Sequence, residues 1–277
     1  MRRLSHFLRT LGAFVFFAFG GFALSWMVLP FVYFSTRDKD TAHRRCQRSL
    51  QLGFRIFSGV LSKLRLLKTN WPPRERITTN TPSVIICNHP TLLDTVLMAM
   101  RFNDVICMVK PSYYASPLFF GLARMCGYVP AARPGHIREH QTMLAQVDAK
   151  LAAGFNVLAF PETRRSPIGS YLPFRRGPIE LAARAGVPII PVRITCSPRT
   201  LAREIPLKEL PLVCALYSCE QLPAVTVQVG RTAVRASTCK LENLLQSRPA
   251  PSEPGQLESH AHPGRRAQET HRGSPHA

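Results

Sequence analysis

The chain has 277 residues, of which 45% are hydrophobic, and its 36 Lys and Arg against 16 Asp and Glu give a formal net charge of +20. This length supports one sizeable core, and we expect one catalytic domain with appendages. The charge favours partners that carry phosphate, whether lipid headgroups or nucleic acid. Its eight scattered cysteines form no CxxC pair or histidine-spaced pattern, so we predict neither a metal site nor a disulfide framework.

The first element is an apolar segment near the N-terminus. Residues 11–34 contain no charged side chain, and as a helix they would cover a hydrocarbon core of about 30 Å. We therefore predict a membrane anchor over residues 1–36. A cleaved signal peptide fits less well, because the run is long and lacks a following small-residue cleavage site.

The orientation of this anchor follows from its flanks. Three basic residues precede the apolar run and five follow it, which places the remaining chain on the cytoplasmic side of the membrane, taken here as a bacterial inner membrane. Gly20, Gly21 and Pro30 also permit a re-entrant hairpin that enters and leaves on one face. Both geometries leave the rest of the chain in the cytoplasm.

Residues 37–70 predict a basic amphipathic surface helix, because apolar residues recur at helical intervals between Arg and Lys. The apolar stripe contains Leu50, Phe54, Phe57, Leu61 and Leu64. A single stripe of this kind can face lipid or protein, so a helix on the membrane surface and a helix in a protein core both remain open.

Residues 71–246 show short apolar strands that alternate with helices. We predict strands at 83–87, 105–109, 155–160, 187–194 and 224–229. We predict helices near 92–102, 117–126, 137–153 and 177–186. This alternation is typical of an α/β fold with a central, mostly parallel sheet flanked by helices. Residues 197–223 read as irregular, and the tail 247–277 has too little to bury and is expected to be disordered.

The sequence NHPTLLD follows the strand at 83–87 and contains the candidate catalytic pair. His89 is expected in the turn at the carboxyl end of the strand, where ligands bind in open α/β sheets. Asp94 can reach back to accept a hydrogen bond from one imidazole nitrogen, which leaves the other as a base. Thr91 and Asp94 also have the spacing of a helix-capping box, so a purely structural role for Asp94 stays open.

A second polar segment, FPETRRSP at 160–167, follows the strand at 155–160. Glu162, Arg164, Arg165 and Ser166 should therefore emerge at the same edge of the sheet as His89. Arginine at that edge suits a phosphate, because its planar fork of donors pairs with phosphate oxygens. The chain has no G-x-S-x-G motif, which argues against a serine hydrolase.

Four ordered blocks, NHPTLLD, GYVPAAR, FPETRRS and VPIIPV, resemble those of the glycerolipid acyltransferase family typified by 1-acylglycerol-3-phosphate acyltransferases. The resemblance covers roughly residues 84–195. His89 and Asp94 match the histidine and aspartate of its N-H-x4-D block, and Arg133 matches the arginine of its second block. The third block is usually F-P-E-G-T-R-S, and this chain departs from it at Thr163 and Arg164.

The resemblance implies an O-acyltransferase that moves a fatty acyl group from a thioester of coenzyme A or acyl carrier protein, with no bound cofactor. The acceptor it implies is the free hydroxyl of a lysophospholipid, foremost 1-acylglycerol-3-phosphate. His89 would then be the general base, and Asp94 would fix its tautomer. Arg133, Glu162 and Arg165 would hold the acceptor headgroup. Further candidates for the site are Asn88, Lys110, Thr163, Arg164, Ser166, Arg175 and Arg176.

Two other interpretations remain. The altered third block allows a different acceptor, such as an amino-acid lipid or a pigment or polyene carrier. A non-catalytic protein that uses only its charge to bind a membrane surface or nucleic acid is the alternative of another class, and the intact histidine and aspartate disfavour it. The expected partners are thus the bilayer, the lysophospholipid and the acyl donor, with no nucleic acid.

Overall fold

The centre of the fold is a seven-stranded sheet, seen in a computed structural model that describes residues 2–71, 81–117, 120–206 and 209–246. The strands are β1 (Leu67–Asn70), β2 (Val84–Cys87), β3 (Val105–Val109), β4 (Val129–Pro130), β5 (Asn156–Ala159), β6 (Ile189–Ser197) and β7 (Ala215–Gln221). Their order across the sheet is β1-β7-β6-β2-β5-β3-β4. The five strands from β6 to β4 are parallel, and β7 pairs antiparallel with β6. The predicted mostly parallel α/β fold is confirmed.

Strand β2 lies between β5 and β6 and is buried along its whole length. Its sequence VIIC is continuously apolar, as expected for a parallel strand covered on both faces. Ile85 and Cys87 contribute to one hydrophobic core, whereas Val84 and Ile86 contribute to the other. Since β5 and β6 run parallel to β2, the loops that follow all three strands emerge at one edge of the sheet.

Helices cover both faces of this sheet. They are α1 (Arg2–Ala23), α2 (Leu29–Phe34), α3 (Lys39–Lys63), α4 (Asp94–Arg101), α5 (Pro111–Tyr114), α6 (Phe120–Met125), α7 (Ile137–Ala152), α8 (Gly177–Ala185) and α9 (Arg231–Gln246). The core on the first face includes residues of α3 and α4, and the core on the second face includes residues of α7, α8 and α9. The predicted helix that opens at Gly177 and closes at Gly186 is present as α8, and Gly186 adopts a left-handed conformation with φ of 65°.

The N-terminal segment is one continuous helical rod in which a π-helical turn, Leu24–Val28, joins α1 to α2. It is the one helix, within the part of the chain that the structure describes, that is long and apolar enough to cross a membrane. The rod packs on α3, where the Arg9 guanidinium donates to the carbonyl of Leu64 (3.1 Å). Its exposed side chains include Leu4, Leu8, Val15, Phe16, Phe19, Phe22, Met27, Phe31 and Phe34. The predicted N-terminal apolar helix is therefore present, and Pro30 does not interrupt it.

Helix α3 carries the predicted amphipathic stripe, and that stripe packs against protein. The helix begins after Asp38, whose carboxylate accepts a hydrogen bond from the backbone N–H of Thr41 (2.7 Å). Four members of the stripe are buried in the core shared with the rod and α4, namely Leu50, Phe54, Phe57 and Leu61. Because the helix ends at Lys63 and β1 follows it, residues 67–70 form part of the sheet rather than of the helix.

Three features of the C-terminal half differ from the sequence prediction. Strand β7 lies inside the segment 197–223 that was predicted to be irregular, and α9 was not predicted at all. The predicted strand at 224–229 is wrong, since Val225 makes only an isolated bridge to Ile189. The reason is that β7 already occupies the place beside β6 along most of its length. The tail 247–277 lies outside the described residues.

Candidate active site

His89 and Asp94 meet at the carboxyl end of β2. The Nδ1 atom of His89 lies 2.7 Å from Oδ2 of Asp94. Asp94 is completely buried, while the His89 side chain keeps 16% of its surface exposed. A buried carboxylate at this distance holds Nδ1 as the protonated nitrogen, which leaves the Nε2 lone pair as the basic site. The predicted contact between the two side chains is present.

Asp94 also organises the start of α4. Its Oδ2 accepts a hydrogen bond from the backbone N–H of Thr91 (2.7 Å), and its Oδ1 accepts one from the Thr91 hydroxyl (2.6 Å). The hydroxyl oxygen of Thr91 in turn accepts the backbone N–H of Leu93 (3.2 Å). The structural role and the imidazole contact, which the sequence posed as alternatives, are therefore fulfilled by the same carboxylate.

The segment that follows β5 clamps the histidine turn from the other side. The backbone N–H of His89 donates to Oε1 of Glu162 (2.9 Å), and the backbone N–H of Ser166 donates to the carbonyl of His89 (2.9 Å). The ring of Phe160 lies 4.6 Å from the imidazole, measured between centroids. These contacts fix both the backbone and the ring plane of His89, because each comes from a different point of the same loop.

Glu162 is 3% exposed, and burial raises its pKa above the ordinary value for a glutamate. The backbone N–H groups of His89 and Leu172 partly offset this rise, since they stabilise the ionised form. Its Oε1 is the oxygen that contacts the backbone of the histidine turn. This contact suits a residue that positions His89, and a role of Glu162 in headgroup binding stays a prediction.

Two further candidates from the sequence serve the scaffold. The side-chain amide of Asn88 donates to the carbonyl of Ile194 (2.9 Å), and its oxygen accepts the backbone N–H of the same residue (2.7 Å). This pair ties the end of β2 to β6. The side chain of Ser166 is buried, and its backbone N–H is the group that contacts the histidine turn.

Thr163 stands where the resembling family usually has glycine, and it keeps a glycine-like backbone. Its φ is 60°, a left-handed conformation that is unfavourable for a β-branched residue. The backbone N–H of Thr163 donates to the carbonyl of Phe160 (3.0 Å). Thr163 therefore occupies a tight turn in a conformation that would suit glycine better.

The two arginines that follow Thr163 lie in different surroundings. Arg165 is half-buried, and its guanidinium donates to the carbonyl of Leu201 (2.8 Å). Arg164 is exposed and lines an open pocket of about 310 Å³. The pocket is formed by Glu162, Thr163, Arg164, Leu172, Pro173 and Arg175.

Arg133 and Lys110 lie at the same edge of the sheet but farther along it. Arg133 follows β4, three strands away from β2, which corresponds to about 14 Å at the usual strand spacing. Its guanidinium forms an ion pair with Glu139 and lowers the pKa of that carboxyl to about 2. Lys110 follows β3, is exposed, and precedes α5. The structure thus groups His89, Asp94 and Glu162 closely and leaves Arg133 outside this group.

Sequence reasoning missed the segment 198–204, which covers the site from the side of β6. Arg199 donates to the carbonyl of Pro167 (2.5 Å), and Glu204 accepts the backbone N–H of Ile168 (3.2 Å). It also missed Tyr217 of β7, a fully buried residue whose pKa is raised by burial and by the nearby Asp94 carboxylate. No local motif marks these residues, because each reaches the site from a distant part of the chain.

We compared the chain with known protein families and structures. Residues 69–195 match the Acyltransferase family. The matched segment contains the strand ends and the loops that carry His89, Asp94 and Glu162. The predicted resemblance to glycerolipid acyltransferases is confirmed.

Similar proteins occur in bacteria and animals. A 1-acyl-sn-glycerol-3-phosphate acyltransferase of Pseudomonas aeruginosa is 29% identical over 175 residues, which are 61% of this chain and 62% of that protein. The mouse protein 1-acyl-sn-glycerol-3-phosphate acyltransferase alpha is 27% identical over 177 residues, which are 63% of this chain and 59% of that protein. The chain therefore aligns with less than two thirds of the length of each of these relatives.

A crystal structure with a similar fold is that of the 1-acyl-sn-glycerophosphate (LPA) acyltransferase PlsC from Thermotoga maritima. The TM-score is 0.67, with 19% sequence identity, and the superposition covers 90% of this chain and all of that one. At this identity the likeness concerns the fold alone.

Proposed function

We propose that the protein is an O-acyltransferase that moves a fatty acyl group from an acyl thioester to the free hydroxyl of a lysophospholipid, foremost 1-acylglycerol-3-phosphate. The observation that carries this proposal is the 2.7 Å contact between His89 Nδ1 and the fully buried Asp94. The names of the relatives support the acceptor, since they are 1-acyl-sn-glycerol-3-phosphate acyltransferases.

In the proposed reaction, Nε2 of His89 takes the proton of the acceptor hydroxyl while the hydroxyl oxygen attacks the thioester carbonyl. Asp94 stabilises the imidazolium that forms. The new carbon–oxygen ester bond forms, the carbon–sulfur bond breaks, and the departing thiolate takes the proton back from the imidazolium. No cofactor is needed for this chemistry, because the thioester carbonyl is already activated. The acyl donor is a thioester of coenzyme A or of acyl carrier protein.

The acceptor headgroup is assigned to the edge of the sheet next to His89. Glu162 stands there with its carboxyl group fixed to the histidine backbone (2.9 Å). The family resemblance assigns Arg165 and Arg133 to the headgroup as well. The guanidinium of each already has a partner within the protein, the carbonyl of Leu201 and the carboxylate of Glu139 respectively, so other cations at this edge come into question for the same role.

The membrane supplies the lysophospholipid acceptor in this proposal. The rod Arg2–Phe34 would anchor the protein, and its exposed apolar side chains would contact lipid. We place the catalytic domain on the cytoplasmic face, taken as that of a bacterial inner membrane. Soluble acyl thioesters are cytoplasmic metabolites, and more basic residues follow the apolar run than precede it.

The two residues at which the third block departs from the family sequence motivate a second class of acceptor. Thr163 and Arg164 line the pocket beside Glu162, and neither is the residue that the resembling family usually carries there. An acyltransferase for another lyso-lipid or carrier, such as an amino-acid lipid or a pigment or polyene lipid, is therefore the alternative to test alongside the first.

The experiment is an acyl-transfer assay on the full chain purified in detergent. Palmitoyl-CoA or the palmitoylated carrier protein is the donor, and 1-acylglycerol-3-phosphate competes with an equimolar panel of other lyso-lipids. We expect phosphatidic acid as the main product and its formation to require His89. Transfer only to a lyso-lipid without phosphate would favour the alternative acceptor. Absence of transfer to every acceptor, from a folded protein, would contradict the proposed function.

A further inference from the structure

The open pocket beside Glu162 contains two arginines, Arg164 and Arg175. Arg164 and Arg175 are exposed, and no ion pair or side-chain hydrogen bond joins either guanidinium to another group within residues 2–71, 81–117, 120–206 and 209–246. Arginines that serve the scaffold in this protein are paired, as Arg165 is with the carbonyl of Leu201. The unpaired charges therefore distinguish the pocket arginines from their neighbour.

The backbone at or next to each pocket arginine is held by a hydrogen bond near the end of β5. The backbone N–H of Arg175 donates to the carbonyl of Pro161 (2.9 Å), and the N–H of Thr163, one residue before Arg164, donates to the carbonyl of Phe160 (3.0 Å). These anchors belong to the same short segment that clamps His89. A ligand held by the two arginines would therefore be held at a defined position relative to the imidazole.

The pocket also contains a carboxyl group, which limits the ligands that suit it. Glu162 is almost completely buried at the pocket wall and accepts the backbone N–H of His89. Two guanidinium groups outweigh its charge, and they can offer several donors to an anion that carries more than one acceptor oxygen. A phosphomonoester with its three terminal oxygens fits this arrangement better than a neutral headgroup does.

We propose that Arg164 and Arg175 together bind the phosphomonoester headgroup of the acceptor, and that Arg165 instead holds the segment around Leu201 in place. This inference rests on the proposed function, whose acceptor it specifies. It also explains what the departure from the family block at Thr163 and Arg164 changes. The arginine that lines the open pocket is Arg164, whereas Arg165 is the residue in register with the arginine of the family block.

The test is a binding measurement that needs no turnover. The dissociation constant for 1-acylglycerol-3-phosphate and for the uncharged monoacylglycerol of the same chain length is measured in one detergent with wild type, R164Q, R175Q and R165Q. R235Q is the matched control, because it removes one exposed arginine from α9, outside the pocket. The melting temperature of each variant is recorded in parallel.

We expect R164Q and R175Q each to weaken binding of 1-acylglycerol-3-phosphate by about tenfold or more, the scale of a lost charged hydrogen bond. Binding of monoacylglycerol and the melting temperature should stay near wild type, as should every value for R235Q. R165Q should lower the melting temperature, because it removes the hydrogen bond to the carbonyl of Leu201. Its dissociation constant for 1-acylglycerol-3-phosphate should stay near the wild-type value. If R165Q weakened that binding at normal melting temperature while R164Q and R175Q bound normally, the assignment would be overturned.

The two proposals can fail separately. If wild type binds the phosphorylated lipid through Arg164 and Arg175 but transfers no acyl group, the headgroup assignment holds and the proposed function fails. If wild type transfers acyl groups to 1-acylglycerol-3-phosphate and R164Q and R175Q bind it as tightly as wild type, only the headgroup assignment fails.

Discussion

The carboxylate of Asp94 lies 2.7 Å from the imidazole of His89 and holds the backbone of Thr91 at the same distance. One buried group thus links the orientation of the candidate base to the first turn of α4. This sharing means that replacement of Asp94 by a small apolar residue would damage folding and chemistry together. A substitution that separates the two effects is needed.

Asp94→Asn provides that separation. An asparagine retains one oxygen that can accept the Thr91 N–H, so we expect the melting temperature to fall only modestly, by an amount that corresponds to about 1 kcal/mol. It lacks the anion that stabilises the imidazolium, so kcat should fall by at least about a hundredfold. Steady-state kinetics and thermal unfolding of the same preparation check both. Wild-type kcat in this variant would reduce Asp94 to a structural residue.

Glu162→Gln tests the origin of the raised pKa of Glu162. Burial raises this pKa above its ordinary value near 4.5, so the folded state binds the proton more tightly than the unfolded state does. The wild type should therefore gain stability relative to the glutamine variant as the pH falls through the raised pKa towards 4.5. Melting curves of both proteins between pH 7 and about pH 4.5 measure this difference. A difference that stays constant across that window would contradict the assigned cause.

Gly121→Ala tests the packing of the rod on α6. A Cβ at Gly121 in α6 would overlap the backbone carbonyl of Ser25 in the π-helical turn. Because backbone cannot move aside cheaply, we expect a loss of stability that exceeds the roughly 1 kcal/mol gained in helix propensity.

Gly59→Ala is the matched control for this prediction, since Gly59 is also helical and its Cβ would meet nothing within 4 Å. That variant should be as stable as wild type or more so. Thermal unfolding in detergent compares the three proteins. Equal melting temperatures for the two alanine variants would show that α6 and the rod are not in the close contact described.

The location of the catalytic domain is tested by a reporter fused after Gln246. We expect cytoplasmic behaviour, because the basic flank follows the apolar rod. Removal of residues 1–36 should release the protein from the membrane fraction, whereas removal of 247–277 should leave activity unchanged. A reporter active only outside the cytoplasm would place the thioester donor out of reach.

The parts of the fold that the sequence predicts are those with continuous apolar strands. Strand β2 and strand β5 are such runs, and since both are buried and parallel, the motifs that follow them had to meet at one edge of the sheet. The contact between His89 and Asp94 follows from that placement and from a separation of five residues. These features depend on local sequence and on one rule of sheet topology.

Other features depend on contacts that local sequence does not encode. Strand β1 is a four-residue edge strand with the polar sequence LKTN, and its partner β7 lies in a stretch rich in proline and leucine. The hydrogen bond from Arg165 to the carbonyl of Leu201 joins residues 36 positions apart, so a motif alone could not distinguish this arginine from Arg164.

Helix α9, in contrast, could have been predicted from local sequence. Its buried residues repeat at helical spacing, namely Val234, Thr238, Leu241 and Leu245.

The most direct test of the account is the acyl-transfer rate of purified His89→Ala. His89 is partly exposed, and its ring contacts Asp94 and Phe160, so we expect the variant to fold and to remain in the membrane fraction. We predict that kcat for transfer from acyl-CoA or the acylated carrier protein to 1-acylglycerol-3-phosphate falls by at least about a hundredfold, the scale of a lost general base, while binding of the acceptor is retained. A folded variant that transfers the acyl group at the wild-type rate would contradict the assignment of His89 as the base.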